Sequence, residues 1–273
     1  MAYVATTLTL APIQALLLVI VPSAARAFPR FYHRLCASLI GLKIIVRGEP
    51  LVGRPVLVVA NHLSYLDITV LGSIVRGSFI AKEEVRGWPF FGWIARLQQT
   101  VFVARHADGR SADRQRAIVS NRLIQGDSLI LFAEGTSSDG ARVLPLKPSL
   151  IAAAAKPPSN TRNEAQLKMI PVQPVTIAVT QLDGMPIGRF MRSAYAWYGD
   201  MSLVPHLWRH FGLGRVTVEV TFHPALGMSE VRQRKALAQY CRDRIAAGLV
   251  ASNSGREDYL DTQSRAARLL PSA

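Results

Sequence analysis

Two short, uninterrupted apolar runs, Pro55-Val-Leu-Val-Val-Ala60 and Ser128-Leu-Ile-Leu-Phe-Ala133, constrain the fold of this chain more than any other feature. A strand with one face in water alternates polar and apolar residues. Runs of this length without alternation, rich in branched aliphatics, belong in a sheet covered on both faces. Each run also stops abruptly at polar residues, the first at Asn61-His62 and the second at Glu134-Gly135-Thr136. The carboxyl ends of strands in an open α/β sheet are where ligands bind.

The rest of the chain supplies the partners such a sheet needs. Apolar runs predict further strands at 43–47, 78–81, 100–104, 169–178 and 215–222, and helical patterns fall at 64–75, 89–97, 111–125, 148–155 and 229–250. That rhythm predicts an α/β fold: a mixed, mostly parallel sheet flanked by helices. Residues 43–251 form this domain. The polar, proline-containing stretch 156–168 reads as an exposed loop, and 252–273 lacks periodicity and reads as a mobile tail.

Residues 1–42 differ in kind. From Ala2 to Ala25 there is no charged residue, and Ala15-Leu-Leu-Leu-Val-Ile-Val21 forms an apolar centre long enough to enter a bilayer deeply. Pro12 and Pro22 argue against one straight helix. Ser23-Ala-Ala-Arg-Ala27 has the small residues of a signal-peptide cleavage site, but no positive segment precedes the apolar run. Arg26, Arg30, Arg34, Lys43 and Arg47 all follow it, so the expectation is a retained membrane anchor or re-entrant helical hairpin, with the main domain in the cytoplasm.

Composition narrows the partners. Thirty-two Lys and Arg against 18 Asp and Glu give a formal net charge of +14, which favours anionic lipids, nucleic acid or an acidic protein. The positive mean hydropathy and the absence of a recognition motif favour the membrane over nucleic acid. Cys36 and Cys241 are far apart in apolar contexts and read as reduced core thiols. The scattered histidines and the lack of CxxC or HExxH predict no metal.

His62 and Asp67 are five residues apart. On one helix that separation is about 140° of rotation, so they would diverge. With His62 in the turn after a strand and Ser64 as the N-cap of a following helix, Asp67 falls in the first helical turn and can fold back onto the imidazole. A His-Asp dyad is then possible. Ser64-x-x-Asp67 equally fits a capping box, in which the carboxylate merely satisfies a backbone N–H. In the second motif, Glu134 emerges at a strand end, Gly135 permits close backbone approach, and Thr136, Ser137 and Ser138 supply hydroxyls.

Asn61-His62-x-x-x-x-Asp67, then Lys82-Glu-Glu-Val with Pro89-Phe-Phe-Gly92 and Val101-Phe-Val-Ala-Arg105, then Phe132-x-Glu134-Gly-Thr136, then Ile170-Pro171-Val-Gln-Pro174-Val175 resemble the four ordered blocks of the glycerolipid and lysophospholipid acyltransferase family. The resemblance spans residues 56–178. It implies His62 as the general base toward an acceptor hydroxyl, with Asp67 orienting it and direct attack on an acyl thioester. It further implies substrate contacts at Asn61, Arg105, Glu134, Gly135, Thr136, Ser137 and Lys147, and an acyl-binding role for Pro171 and Pro174. No metal or cofactor is implied. The donor would be an acyl carrier protein or coenzyme A thioester, at the cytoplasmic face of a bacterial inner membrane.

One departure bears on the acceptor. Members that acylate lysophosphatidic acid mostly continue Glu-Gly-Thr with arginine, a bidentate partner for phosphate, where this chain has Ser137. Together with Tyr195-Ala-Trp-Tyr-Gly-Asp-Met201 and Pro205-His-Leu-Trp208, this resembles the bacterial branch that acylates lyso-ornithine lipid. The rival readings are a 1-acylglycerol-3-phosphate acyltransferase and, in a different class, a non-catalytic basic membrane-binding protein. A catalytic reading requires His62, Asp67 and Glu134 to converge. Trp88, Trp93, Trp197, Trp208 and Phe211 fit either an interfacial belt or the core.

Overall fold

The computed structural model describes residues 2–104, 109–148, 151, 170–227 and 234–256. Among these, seven strands form one continuous sheet in the order β1-β8-β6-β2-β5-β3-β4, with two short strands pairing against β6. The strands are β1 (Leu42–Gly48), β2 (Leu57–Ala60), β3 (Ser78–Lys82), β4 (Val101–Val103), β5 (Leu129–Phe132), β6 (Pro171–Leu182), β7 (Met185–Pro186), β8 (Val216–Phe222) and β9 (Leu226–Gly227). Along the main path only β6 and β8 run antiparallel. The sheet is therefore mixed and mostly parallel.

The lack of alternation in β2 and β5 has a direct cause. Leu57, Val59, Leu129 and Leu131 project to one face, against Val119 and Leu123 of α5 (Gly109–Ile124) and Cys241, Ile245 and Leu249 of α7 (Arg234–Ser254). Val58, Ala60 and Ile130 project to the other, against Ala37 of α2 (Pro22–Leu39) and Leu66, Val70 and Leu71 of α3 (Leu66–Ile74). Both sets are buried, so every position must be apolar. Leu57–Ala60 pairs in parallel register with Leu129–Phe132, which brings the two polar turns side by side at the same end of the sheet.

The N-terminal segment forms two packed helices, α1 (Ala2–Ile20) and α2, with Pro22 opening the second. Pro at a first helical position costs nothing, because that N–H would lack a partner anyway. Helix α1 is long and apolar enough to cross a membrane and is largely unburied, exposing Leu8, Leu16, Val19 and Ile20. Two helices depart from the sequence expectations. Helix α6 (Leu203–Phe211) occupies a stretch assigned no structure; Trp208 and Phe211 are exposed while His206 and His210 are buried. Helix α7 continues to Ser254, taking in the first three residues of the expected mobile tail. Helix α4 (Phe91–Leu97) follows a short 3-10 turn and leaves Trp88 and Trp93 exposed. The predicted loop at 156–168, most of the predicted helix 148–155 and the end of the tail lie outside the described residues.

Candidate active site

The turn after β2 is fixed by Asn61. Its amide N–H donates to the Ile177 carbonyl at 2.9 Å and its side-chain oxygen accepts the Ile177 N–H at 2.8 Å. Both polar ends of this buried residue are bonded to β6, just past where the β2–β6 ladder stops.

Pinned in this way, the chain presents His62. Its Nδ1 lies 2.8 Å from Asp67 Oδ2. The same oxygen accepts the backbone N–H of Leu63 at 2.6 Å and of Ser64 at 2.9 Å, and Oδ1 accepts the Tyr195 hydroxyl at 2.8 Å. Since Asp67 is an acceptor in every other contact, the imidazole donates to it from Nδ1, and in the neutral ring the lone pair then falls to Nε2. Nε2 has no hydrogen-bond partner among the described residues, and the side chain is 20% exposed. Asp67 itself is fully buried. The ring stacks on Phe132, with centroids 4.0 Å apart and planes 16° from parallel.

The two readings of Asp67 therefore coexist in one carboxylate that gathers the turn's backbone donors and holds the imidazole. Ser64 Oγ accepts the Leu66 N–H at 3.4 Å, the bond expected of a residue at the helix N-cap. Tyr65, already at helical φ −56° and ψ −20°, makes no side-chain cap bond, and the next two donors, the Asp67 and Ile68 N–H groups, go to the Ser64 and Tyr65 carbonyls.

The turn after β5 grips the same histidine from below. Glu134 Oε1 accepts the His62 N–H at 3.2 Å, and the Ser138 N–H donates to the His62 carbonyl at 2.9 Å. Glu134 Oε2 accepts the Leu144 N–H at 3.3 Å. His62, Asp67 and Glu134 thus converge; Glu134 is only 2% exposed, and each of its oxygens accepts one backbone N–H, so it positions the His62 turn. Burial pushes its carboxyl up to about 8, against the two backbone donors that favour the ionised form; the nearby Asp67 adds to the rise. Burial and Asp67 likewise push the Tyr195 hydroxyl well above its ordinary value, which keeps it a donor.

Gly135 has φ +71°, and the Lys147 side chain passes 3.2 Å from where a Cβ would stand, so both conformation and space favour glycine. Thr136 and Lys147 are exposed and Ser137 half-buried, leaving these three accessible on the turn. Arg105 lies outside the described residues. Pro171 and Pro174 are buried within β6, at Gly227 and Val59 respectively. At about 3.3 Å per residue they sit roughly 20 and 10 Å along the strand from Ile177. The structure does not bring them to the His62 cluster.

Sequence reasoning assigned no role to Tyr195 or to the ring of Phe132. Tyr195 was visible only as part of an aromatic stretch; nothing local says that it reaches Asp67 across 128 positions of sequence.

Comparison with known proteins agrees with this geometry. Residues 43–178 match the family model described as Acyltransferase. The chain is 44% identical over 256 residues to the lyso-ornithine lipid O-acyltransferase of Brucella abortus, covering 94% of each chain. It is 40% identical over 256 residues to the protein of the same name from Rhizobium meliloti, covering 94% of this chain and 86% of that one. The crystal structure of the 1-acyl-sn-glycerophosphate acyltransferase of Thermotoga maritima shares the fold, with a TM-score of 0.60 at 22% identity over 91% of this chain and 92% of the other.

Proposed function

The chain belongs to the glycerolipid and lysophospholipid acyltransferase family, and from that premise we propose that it is a lysolipid O-acyltransferase acting on lyso-ornithine lipid. The observation that carries the chemistry is an imidazole with Nδ1 tied to a buried carboxylate and Nε2 open. An alkoxide is too basic to exist free near neutrality, so the acceptor hydroxyl needs a base as it attacks. Nε2 takes the proton while the hydroxyl oxygen bonds to the thioester carbonyl carbon. The carbon–sulfur bond then breaks, and the departing thiolate recovers the proton from the imidazolium. Asp67 stabilises that imidazolium and Tyr195 holds Asp67. No acyl-enzyme is needed, and the donor is a thioester of acyl carrier protein or coenzyme A.

Two features support the acceptor. The Brucella and Rhizobium relatives bear the name lyso-ornithine lipid O-acyltransferase. Ser137 also stands where a phosphate-pairing arginine would, and a serine cannot neutralise a phosphate dianion. Arg105 would meet the ornithine carboxylate. Glu134, occupied by backbone donors, takes no part. Asp139 remains for the ammonium, half-buried with Oδ1 accepting the Ala141 N–H at 2.9 Å. Helices α1 and α2 would hold the domain on the cytoplasmic face of the inner membrane, which supplies the lipid.

The test is thin-layer analysis of radiolabelled acyl transfer by the purified protein to a panel of lysolipids, with acyl carrier protein and coenzyme A donors compared. Lyso-ornithine lipid should give the largest specificity constant. A larger value for lysophosphatidic acid would refute the acceptor and leave the His62 chemistry standing; transfer to neither would refute both.

A further inference from the structure

At the opposite end of the sheet, the amino ends of β2 and β5 border a cavity of about 530 Å³. Its walls come from the first half of α2, the loop 50–55, and the corner where α3 leads into β3. Four arginines line it, Arg26, Arg30, Arg54 and Arg76, and the one acid among them, Asp127, is already paired with Arg26 and Arg122. Arg30 and a fifth cation, Arg34, each donate Nε to the same Ser73 carbonyl, at 3.3 and 3.1 Å, and Arg76 donates to Ser23 O at 3.2 Å. Those carbonyls employ one N–H of each guanidinium, which carries five. Among the described residues no carboxylate pairs with Arg30, Arg34, Arg54 or Arg76.

So many uncompensated cations around one cavity call for an anion. The occupant's other half is indicated by the floor, where Leu51, Ile74 and Val75 present apolar surface, and by Val52 at the rim, 81% exposed. The position points the same way: Arg26, Arg30 and Arg34 recur every four residues along one face of α2, beginning just after the apolar α1 ends at Ile20. A phosphate with hydrocarbon directly beneath it is the chemistry of an anionic phospholipid at the boundary of a bilayer.

We propose that this cavity is a binding site for the headgroup of an anionic phospholipid, separate from the acceptor site at the far end of β2. It would hold the α1–α2 hairpin against the membrane at the cavity end of the sheet.

Titration calorimetry of the detergent-solubilised full chain with short-chain phosphatidylglycerol tests this, with short-chain phosphatidylcholine and inorganic phosphate as comparison arms. Saturable one-to-one binding of phosphatidylglycerol is expected. The triple variant R30Q/R54Q/R76Q should weaken it more than tenfold, and R110Q/R114Q/K235Q, which removes the same charge elsewhere, should not. Arg54 has no hydrogen bond or ion pair to lose among the described residues, so Arg54→Gln alone isolates binding from folding; about a fivefold loss is expected for one interfacial cation. Equal losses in the two triple variants would overturn the site. Phosphatidylcholine binding as tightly would overturn its anion selectivity, and displacement by inorganic phosphate at equal concentration would overturn its assignment to a lipid.

Discussion

The turns after β2 and β5 begin alike and end with opposite uses. Both leave four-residue parallel strands in register, and both place an ionisable side chain just beyond the strand end. His62 keeps one nitrogen open beside a buried carboxylate, whereas Glu134 is enclosed and spends both oxygens on backbone N–H groups. A strand end therefore guarantees position, not reactivity; what remains unpaired after folding decides which group can act on a substrate. One turn leaves an imidazole nitrogen open and the other holds that histidine's backbone at both the N–H and the carbonyl.

The sharpest way to break that division is His62→Ala. Loss of a general base costs roughly 10²–10⁴-fold in turnover. The ring is partly exposed, so circular dichroism should report an intact fold. Near-normal turnover by a folded variant would end the mechanism.

Asp67→Asn separates the two duties of Asp67. The amide oxygen can still take the backbone donors of Leu63 and Ser64, with its nitrogen turned to the Tyr195 hydroxyl, so the turn should survive. Without the negative charge the imidazolium is unsupported, and a fall in kcat on the order of 10²-fold is expected of a variant that circular dichroism shows to be folded. Tyr195→Phe removes one hydrogen bond to that carboxylate, worth about 1.5–3 kcal/mol when one partner is charged. Part of this will appear in stability. The catalytic share should lower kcat several-fold with KM unchanged and shift the acidic limb of the pH–rate profile. A loss confined to stability would make Tyr195 merely structural.

The smallest effect tests the supporting turn. Glu134 is raised to about 8 from its ordinary 4.5, so between those limits the folded protein keeps a proton that the unfolded chain releases. Stability must therefore fall as pH rises through that window. Buried His210 and His223, lowered to about 4, act in the other direction below neutrality, where the unfolded chain gains protons first. The difference between wild type and Glu134→Gln isolates the carboxyl. Urea unfolding should show that difference shifting against the wild type between pH 5 and pH 8, with activity at fixed pH reduced about tenfold or less, since one perturbed hydrogen bond to the His62 N–H is worth about 0.5–1.5 kcal/mol net. A pH-independent difference would mean that Glu134 is ionised throughout.

Much of this molecule was legible in the chain itself. Buried strands announce themselves because both faces demand apolar residues, and β2, β5 and β8 all appeared within two residues of their observed bounds. The His62–Asp67 contact followed from spacing plus one bend, a local matter. The sequence could not say that Glu134 and Asn61 face inward. A carboxylate or amide at a strand end looks the same whether it meets solvent, a ligand or a neighbouring backbone, and the choice lies with Leu144 and Ile177, which are remote or on another strand. Nor could it place Tyr195 on Asp67 or pair helix α2 with the amino ends of the strands around a cavity. Short-range order is set by each segment's own sterics and hydrophobic period. Which polar atoms remain unpaired is decided only when distant segments close on one another and exclude water.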